Sequence, residues 1–384
     1  MKDFSFWEEY EGTPEGSGRS EKIWLMNPDT GQTGLFKFKK DISTTDHVSE
    51  CIAYDLANII GIPCAKFEAG LYKAREGSMS YNIVDNREET LIEGIYCISL
   101  QYEHFDTETL MDSKTKDKYS LEMIKKALEP LGLFCDFLPI CIFDFLIGNT
   151  DRHQSNWALI RKDKVMRLSP LYDNSSSLCA YVAESKINQY LGNDLMLWKS
   201  LVDTKSKSII RISSRDTKQP THLEVIKYIH NNYFEQTIDI VKKINELLTE
   251  DVICIVVDKY IEMLSMNKTD LIKKYLFSKL QLLKEVYGDV DYEYYAKAFL
   301  GTAIPEPSFP ALEKKAEAFL HRITFGRVKR LPEIPNEVKD AICAMAEYNF
   351  REDKKTPGVR SENIDGYSVS YGDSTETSRS AELY

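Results

Sequence analysis

Gly148-Asn149-Thr150-Asp151-Arg152-His153-Gln154-Ser155-Asn156 is followed, after a short hairpin, by Leu168-Ser169-Pro170-Leu171-Tyr172-Asp173, and these two segments decide the fold. The hairpin is predicted from two runs, Asn156 to Arg161 and Val165 to Leu168, around the polar turn Lys162-Asp163-Lys164. Antiparallel strands bring their outer ends together. Asn156 at the entrance and Asp173 just past the exit therefore return to the neighbourhood of Asp151.

Three oxygen-bearing side chains gathered in this way suit phosphoryl transfer. That reaction leaves a protein little covalent work; it must position a hydroxyl and neutralise phosphate charge through metal ions. Asp151 is the candidate catalytic residue that orients the attacking hydroxyl, and Asn156 and Asp173 are the candidate metal ligands for Mg²⁺. A lone Asp followed by Asn would otherwise read as a polar turn with capping side chains. The hairpin and Asp173 argue for chemistry. His153 is read as a residue that orients the loop, because Asp151 already fills the place of the base.

The two motifs, in this order and spacing, resemble those of the HipA-like serine/threonine kinases, and they also look like the related phosphatidylinositol kinases. The resemblance covers about residues 14–286. It implies an α+β, two-lobed protein-kinase-like fold: a small β-rich N-lobe over 1–117 and a mostly helical C-lobe over 118–288. It further implies ATP and Mg²⁺ as cofactors and a protein substrate with a Ser/Thr acceptor. It leaves room for an antitoxin-type regulator. The family's catalytic aspartate matches Asp151, and its metal ligands match Asn156 and Asp173, in agreement with the reading from the residues alone. A phosphatidylinositol-type lipid kinase and a non-enzymatic assembly protein with a degenerate kinase-like domain are the alternatives.

Upstream, strands are predicted at 22–26 and 33–39 around the turn Asn27-Pro28-Asp29-Thr30-Gly31, followed by a helix from His47 to Ile60 closed by Gly61 and Pro63. Residues 64–101 read as further strands completing the small sheet. Ser17-Gly18-Arg19-Ser20-Glu21-Lys22 resembles the family's nucleotide-covering loop, where glycine lets backbone N–H groups approach phosphate. Ser17 and Gly18 are thus candidate ATP contacts, and the resemblance makes Ser17 a candidate autophosphorylation site. Lys37 matches the strand lysine that contacts ATP phosphates, with Lys39 on the same strand face as its rival. Glu50, on the following helix, is placed to pair with Lys37; the plainer reading is a solvent-facing helix charge. The adenine-contacting strand end is looked for near Met79-Ser80-Tyr81. The glycine loop begins by residue 16, so the chain is expected to be a compact family member without the extra N-terminal subdomain of longer HipA toxins.

Beyond the hairpin, helices are predicted at 222–248, 251–265 and 269–287. Before it, they are predicted at 121–131 and 134–147. Residues 289–384 read as an appended small helical domain with a polar, mobile tail from Arg351. Phe309-Pro310-Ala311-Leu312 and the later Ser361-Glu362-Asn363-Ile364 lie in a segment, about 290–384, that resembles phage head–tail connector proteins. That resemblance implies self-association without catalysis.

Composition bounds these readings. The 384 residues carry 43% hydrophobic and 28% charged side chains, which suits a folded protein of more than one unit. A net charge of −11 opposes direct nucleic-acid binding and attraction to anionic membranes. The most apolar run, Phe137 to Ile147, falls short of the ~20 residues a membrane helix needs. The eight scattered cysteines form no CxxC pair. With no export signal read at Met1 to Glu9, they suggest reduced thiols and a cytoplasmic location.

Overall fold

The computed structural model describes residues 1–10, 21–41, 43–85, 88–288, 290, 292, 294–328 and 334–353, and the backbone of 361–364 and 367–370. The chain divides into two compact units, Met1–Tyr287 and Gly288–Tyr384.

The first unit opens with short strands β1 (Lys2–Asp3) and β2 (Glu8–Glu9), then β3 (Lys22–Met26) and β4 (Thr33–Phe38). Helix α1 (Asp46–Ile60) ends at Gly61, whose φ of 77° lets its amide cap the helix carbonyls. Strands β5 (Phe67–Tyr72) and β6 (Arg75–Tyr81) complete a six-stranded sheet of order β1-β5-β6-β4-β3-β2. Alternation along β4 divides its side chains. Phe36 joins Phe4, Trp7, Leu25, Tyr72, Met79 and Tyr81 in a core on one face, with Phe38 packed against it. Lys37 is left on the other face.

Residues 64–101 do not all join this sheet. Strand β7 (Glu89–Glu93) pairs instead with the later hairpin, and Gly94–Ser99 forms helix α2. The reason lies in strand β10 (Ala158–Lys162), whose Ala158, Leu159 and Ile160 are buried and which is paired on both edges. After the small hairpin β8 (Phe105–Asp106) and β9 (Met111–Asp112) come α3 (Leu121–Leu128), a 3₁₀ turn at Glu129–Leu131, and α4 (Phe134–Ile147). Helix α4 is apolar on nearly every side and is buried accordingly. It packs against the later helices α7 (His222–Leu247) and α9 (Met266–Tyr287). Strand β11 (Val165–Leu168) closes the three-stranded sheet β11-β10-β7.

The stretch between Asp173 and α7, for which no element was predicted, holds α5 (Glu184–Leu191), α6 (Leu195–Lys199) and a π turn at Ser200–Thr204. Helix α8 (Glu250–Asp258) stops short of the predicted end at 265, and α7 has a non-helical residue at Tyr233. The architecture of this unit is α+β, a curled sheet followed by a helical region.

The second unit packs α10 (Phe309–Ile323) against α11 (Asn336–Asp353) around its own core of Tyr295, Phe309, Leu312, Ala316, Ile342 and Ala346. Strands β12 (Ser361–Ile364) and β13 (Tyr367–Ser370) form a hairpin. Most of the polar tail from Arg351 lies outside the described residues.

Candidate active site

The site is assembled where the segment after β11 crosses back to the first sheet. Leu171 N donates to Pro63 O at 2.8 Å and Ala65 N donates to Leu171 O at 2.7 Å, which draws residues 171–174 toward α1 and β4. Asp173 then takes a left-handed backbone with φ of 53°, a conformation Asp tolerates better than most residues.

Lys37 is the centre of charge. Its Nζ lies 3.0 Å from Glu50 Oε1 and 3.1 Å from Asp173 Oδ1. Glu50 is fully buried, and its second oxygen accepts from Asn174 N at 2.8 Å. Burial raises the Glu50 carboxyl above its usual range, and Lys37 opposes that rise. For Asp173, burial would act upward, but the Lys37 ammonium and the Ser175 hydroxyl hold it down at about 2. Burial acts against the Lys37 charge, yet Asp173 and Glu50 together keep its pKa above the ordinary lysine value. The rival Lys39 turns elsewhere, to Glu76 at 3.1 Å.

The Asp151 loop begins at Gly148, whose φ of 68° closes α4 and whose missing Cβ leaves room for the Tyr275 hydroxyl. Asn149 Oδ1 accepts from Asp151 N at 3.2 Å. Asn156 Nδ2 donates to Asp151 O at 2.6 Å, which commits one of its two amide hydrogens and fixes Oδ1 as the acceptor end of the amide. His153 Nδ1 accepts from Ser155 N at 3.2 Å, a loop-orienting contact. Burial raises the Asp151 carboxyl; nearby Asp173 adds to the rise, while His153, Lys40 and Arg152 oppose it.

Arg152, unassigned in the sequence reading, ties these parts together. Buried to 1% exposure, it forks onto Asp144 through Nε at 3.0 Å and a terminal nitrogen at 2.7 Å. It also donates to Asn156 O at 2.8 Å, Tyr172 O at 2.7 Å and Asn174 Oδ1 at 2.6 Å. One planar cation thus fixes the Asn156 end and the Asp173 end of the hairpin relative to each other. Its adjacency to Asp151 was the only signal in the sequence, since its partners lie on separate segments.

The structure therefore brings together Lys37, Glu50, Asp151, Asn156 and Asp173. Ser17 and Gly18 lie outside the described residues. A carboxylate and an amide oxygen are a hard-donor pair that fits Mg²⁺, which usually keeps waters and phosphate oxygens as its other ligands. Among the described residues no group of three or more His, Cys, Asp or Glu is placed to hold a metal ion. Among the described residues no helix is long and apolar enough to cross a membrane.

Comparison with known proteins bears on this geometry. The family described as HipA-like C-terminal domain matches residues 15–244. The crystal structure of the proinflammatory kinase CtkA from Helicobacter pylori is similar with a TM-score of 0.62 and 18% identity, over 74% of this chain and 98% of that chain. At that identity the likeness shows the fold. HipA of Shewanella oneidensis MR-1, solved with HipB and operator DNA, matches at a TM-score of 0.46 and 12% identity, over 74% of this chain and 67% of that one. No curated protein gives a significant match. The connector-like reading of residues 290–384 receives no support from these matches.

Proposed function

We propose that this chain, which belongs to the HipA-like C-terminal domain family, is an ATP-dependent kinase acting on serine or threonine hydroxyls of a protein substrate. The observation that carries the reading is the Lys37 ammonium shared between Glu50 and Asp173, 3.0 and 3.1 Å away, beside the loop bearing Asp151 and Asn156.

In this reading Asp151 accepts the proton of the acceptor hydroxyl as its oxygen bonds to the γ-phosphorus and the bond to ADP breaks. Its raised pKa makes it a better base than an exposed aspartate. Asn156 Oδ1 and the Asp173 carboxylate would hold Mg²⁺, which supplies charge neutralisation at the phosphates. Lys37, oriented by Glu50, contributes a fixed positive charge toward the same phosphates. Ser17 and Gly18 are proposed to cover them with backbone N–H groups.

The chain's acidity favours a protein over an anionic lipid as acceptor. The test is to supply the full-length protein with γ-labelled ATP and Mg²⁺, alone, with a mixed protein substrate, and with phosphoinositide vesicles. Label on Ser or Thr of protein is expected. Label confined to lipid would replace this reading with the lipid-kinase one, and transfer to neither would overturn both.

A further inference from the structure

A second polar cluster, fully buried, reaches the Asp151 loop from α7 and α9. Its members are His222, Ser206, Tyr275 and Lys279. His222 Nε2 lies 2.7 Å from the Asn149 carbonyl oxygen, which can only accept, so Nε2 carries the hydrogen. His222 Nδ1, 2.9 Å from Ser206 Oγ, is then the acceptor, and the serine hydroxyl donates to it. Ser206 Oγ in turn accepts from Lys279 Nζ at 2.9 Å and from the Tyr275 hydroxyl at 3.2 Å. Starting from one carbonyl, every donor direction is fixed. The chain also has a second tie, His222 N to Ser206 O at 2.8 Å.

The far end of this chain is the catalytic loop. Besides its carbonyl, Asn149 commits its backbone N–H to Asp144 O at 2.9 Å, its Nδ2 to Asp144 Oδ1 at 3.0 Å and its Oδ1 to the Asp151 amide. We propose that Lys279 and His222 are positioning residues for phosphoryl transfer, holding the Asn149 carbonyl through Ser206 and with it the backbone that presents the Asp151 carboxylate. The proposal rests on the kinase reading above.

Lys279 is unusual for a residue with only a structural role. Among the described residues it makes no ion pair; its ammonium faces the rings of Phe145 and Tyr275 at 4.6 and 5.3 Å. The groups acting on its charge are Asp203 from the π turn, the Cys179 thiol from the segment after Asp173, and His222 from α7. Burial outweighs Asp203 and Cys179 and brings the lysine down to about 7. Burial, with Lys279 adding to it, lowers His222 to about 3, so the imidazole stays neutral and keeps its donor direction. The proton on Lys279 thus changes the charge at one end of a hydrogen-bond chain whose other end is the Asp151 loop. Turnover should carry an ionisation near neutrality in addition to that of Asp151.

The test uses the full chain and two variants, Lys279→Met and Ser206→Ala, the second cutting the chain without removing the charge. Thermal melts confirm folding. Both variants should lower kcat about three- to tenfold, the size of one or two lost hydrogen bonds, with KM for ATP unchanged. Both should also lose the neutral step of the kcat–pH profile and speed amide hydrogen exchange in the peptide covering residues 148–157. Folded variants with the unaltered protein's pH profile and loop exchange would overturn the proposal. If the unaltered protein transfers no phosphoryl group while Ser206→Ala still loosens the loop, the kinase reading fails and the positioning of the loop stands.

Discussion

At the residue scale, Arg152 carries the greatest structural consequence. Its partner Asp144 is 4% exposed, so removing the guanidinium leaves a carboxylate buried without a counter-charge. Arg152→Met should cost about 3–5 kcal/mol of stability, the range for breaking a buried pair from one side. Urea unfolding measures it, and an unchanged midpoint would mean that the pair is not sustained in solution. Asp151 gives a prediction in pH. A base must be ionised, and burial raises this carboxyl above the ordinary aspartate value. Transfer rate should therefore fall as pH drops, through a midpoint above that of an exposed aspartate; a profile flat down to pH 4 would count against Asp151 as the base. Asp151, Asn156 and Asp173 were readable as candidates because metal ligation and proton transfer admit few residue types. Asn149, Asn174 and Arg152 were not, because their role is to join segments and their partners are known only once the chain has folded.

At the element scale, α7 begins at a capping box: the Thr221 hydroxyl accepts from Glu224 N at 3.1 Å, and Glu224 Oε2 accepts from Thr221 N at 2.6 Å. Thr221→Ala should lower stability by about 1 kcal/mol. It should also lower kcat more than this loss of stability explains, because the cap fixes the first residue of α7, His222. A melt showing the loss with no change in turnover would separate the cap from the site. The strands at 22–26 and 33–38, α1 and the 158–168 hairpin were legible because each has clear periodicity bounded by turn residues, and α4 because a continuous apolar run ends at the turn Gly148. Helices α2, α5 and α6 were not, being five to eight residues long and too short to establish a period. Strand β7 was legible as a strand but not in its pairing, since strand partners are chosen by burial of β10 and leave no local mark.

At the scale of the whole molecule, the two units have separate hydrophobic cores, and the residues brought together at the candidate site all belong to the first. We propose that residues 288–384 are not required for the chemistry. A chain ending at Tyr287 should fold and transfer phosphate as the full protein does, while light scattering on both tells whether the second unit brings copies together. Loss of transfer in a folded, truncated monomer would make the second unit part of the enzyme. The central claim, that Asp151, Asn156, Asp173 and Lys37 form one phosphoryl-transfer site, is tested most directly by single-turnover transfer from γ-labelled ATP with Mg²⁺ in Asp151→Asn against the unaltered protein. The geometry predicts that the variant binds ATP with Mg²⁺ and leaves the label on the nucleotide. Transfer by the variant at the full single-turnover rate would contradict it.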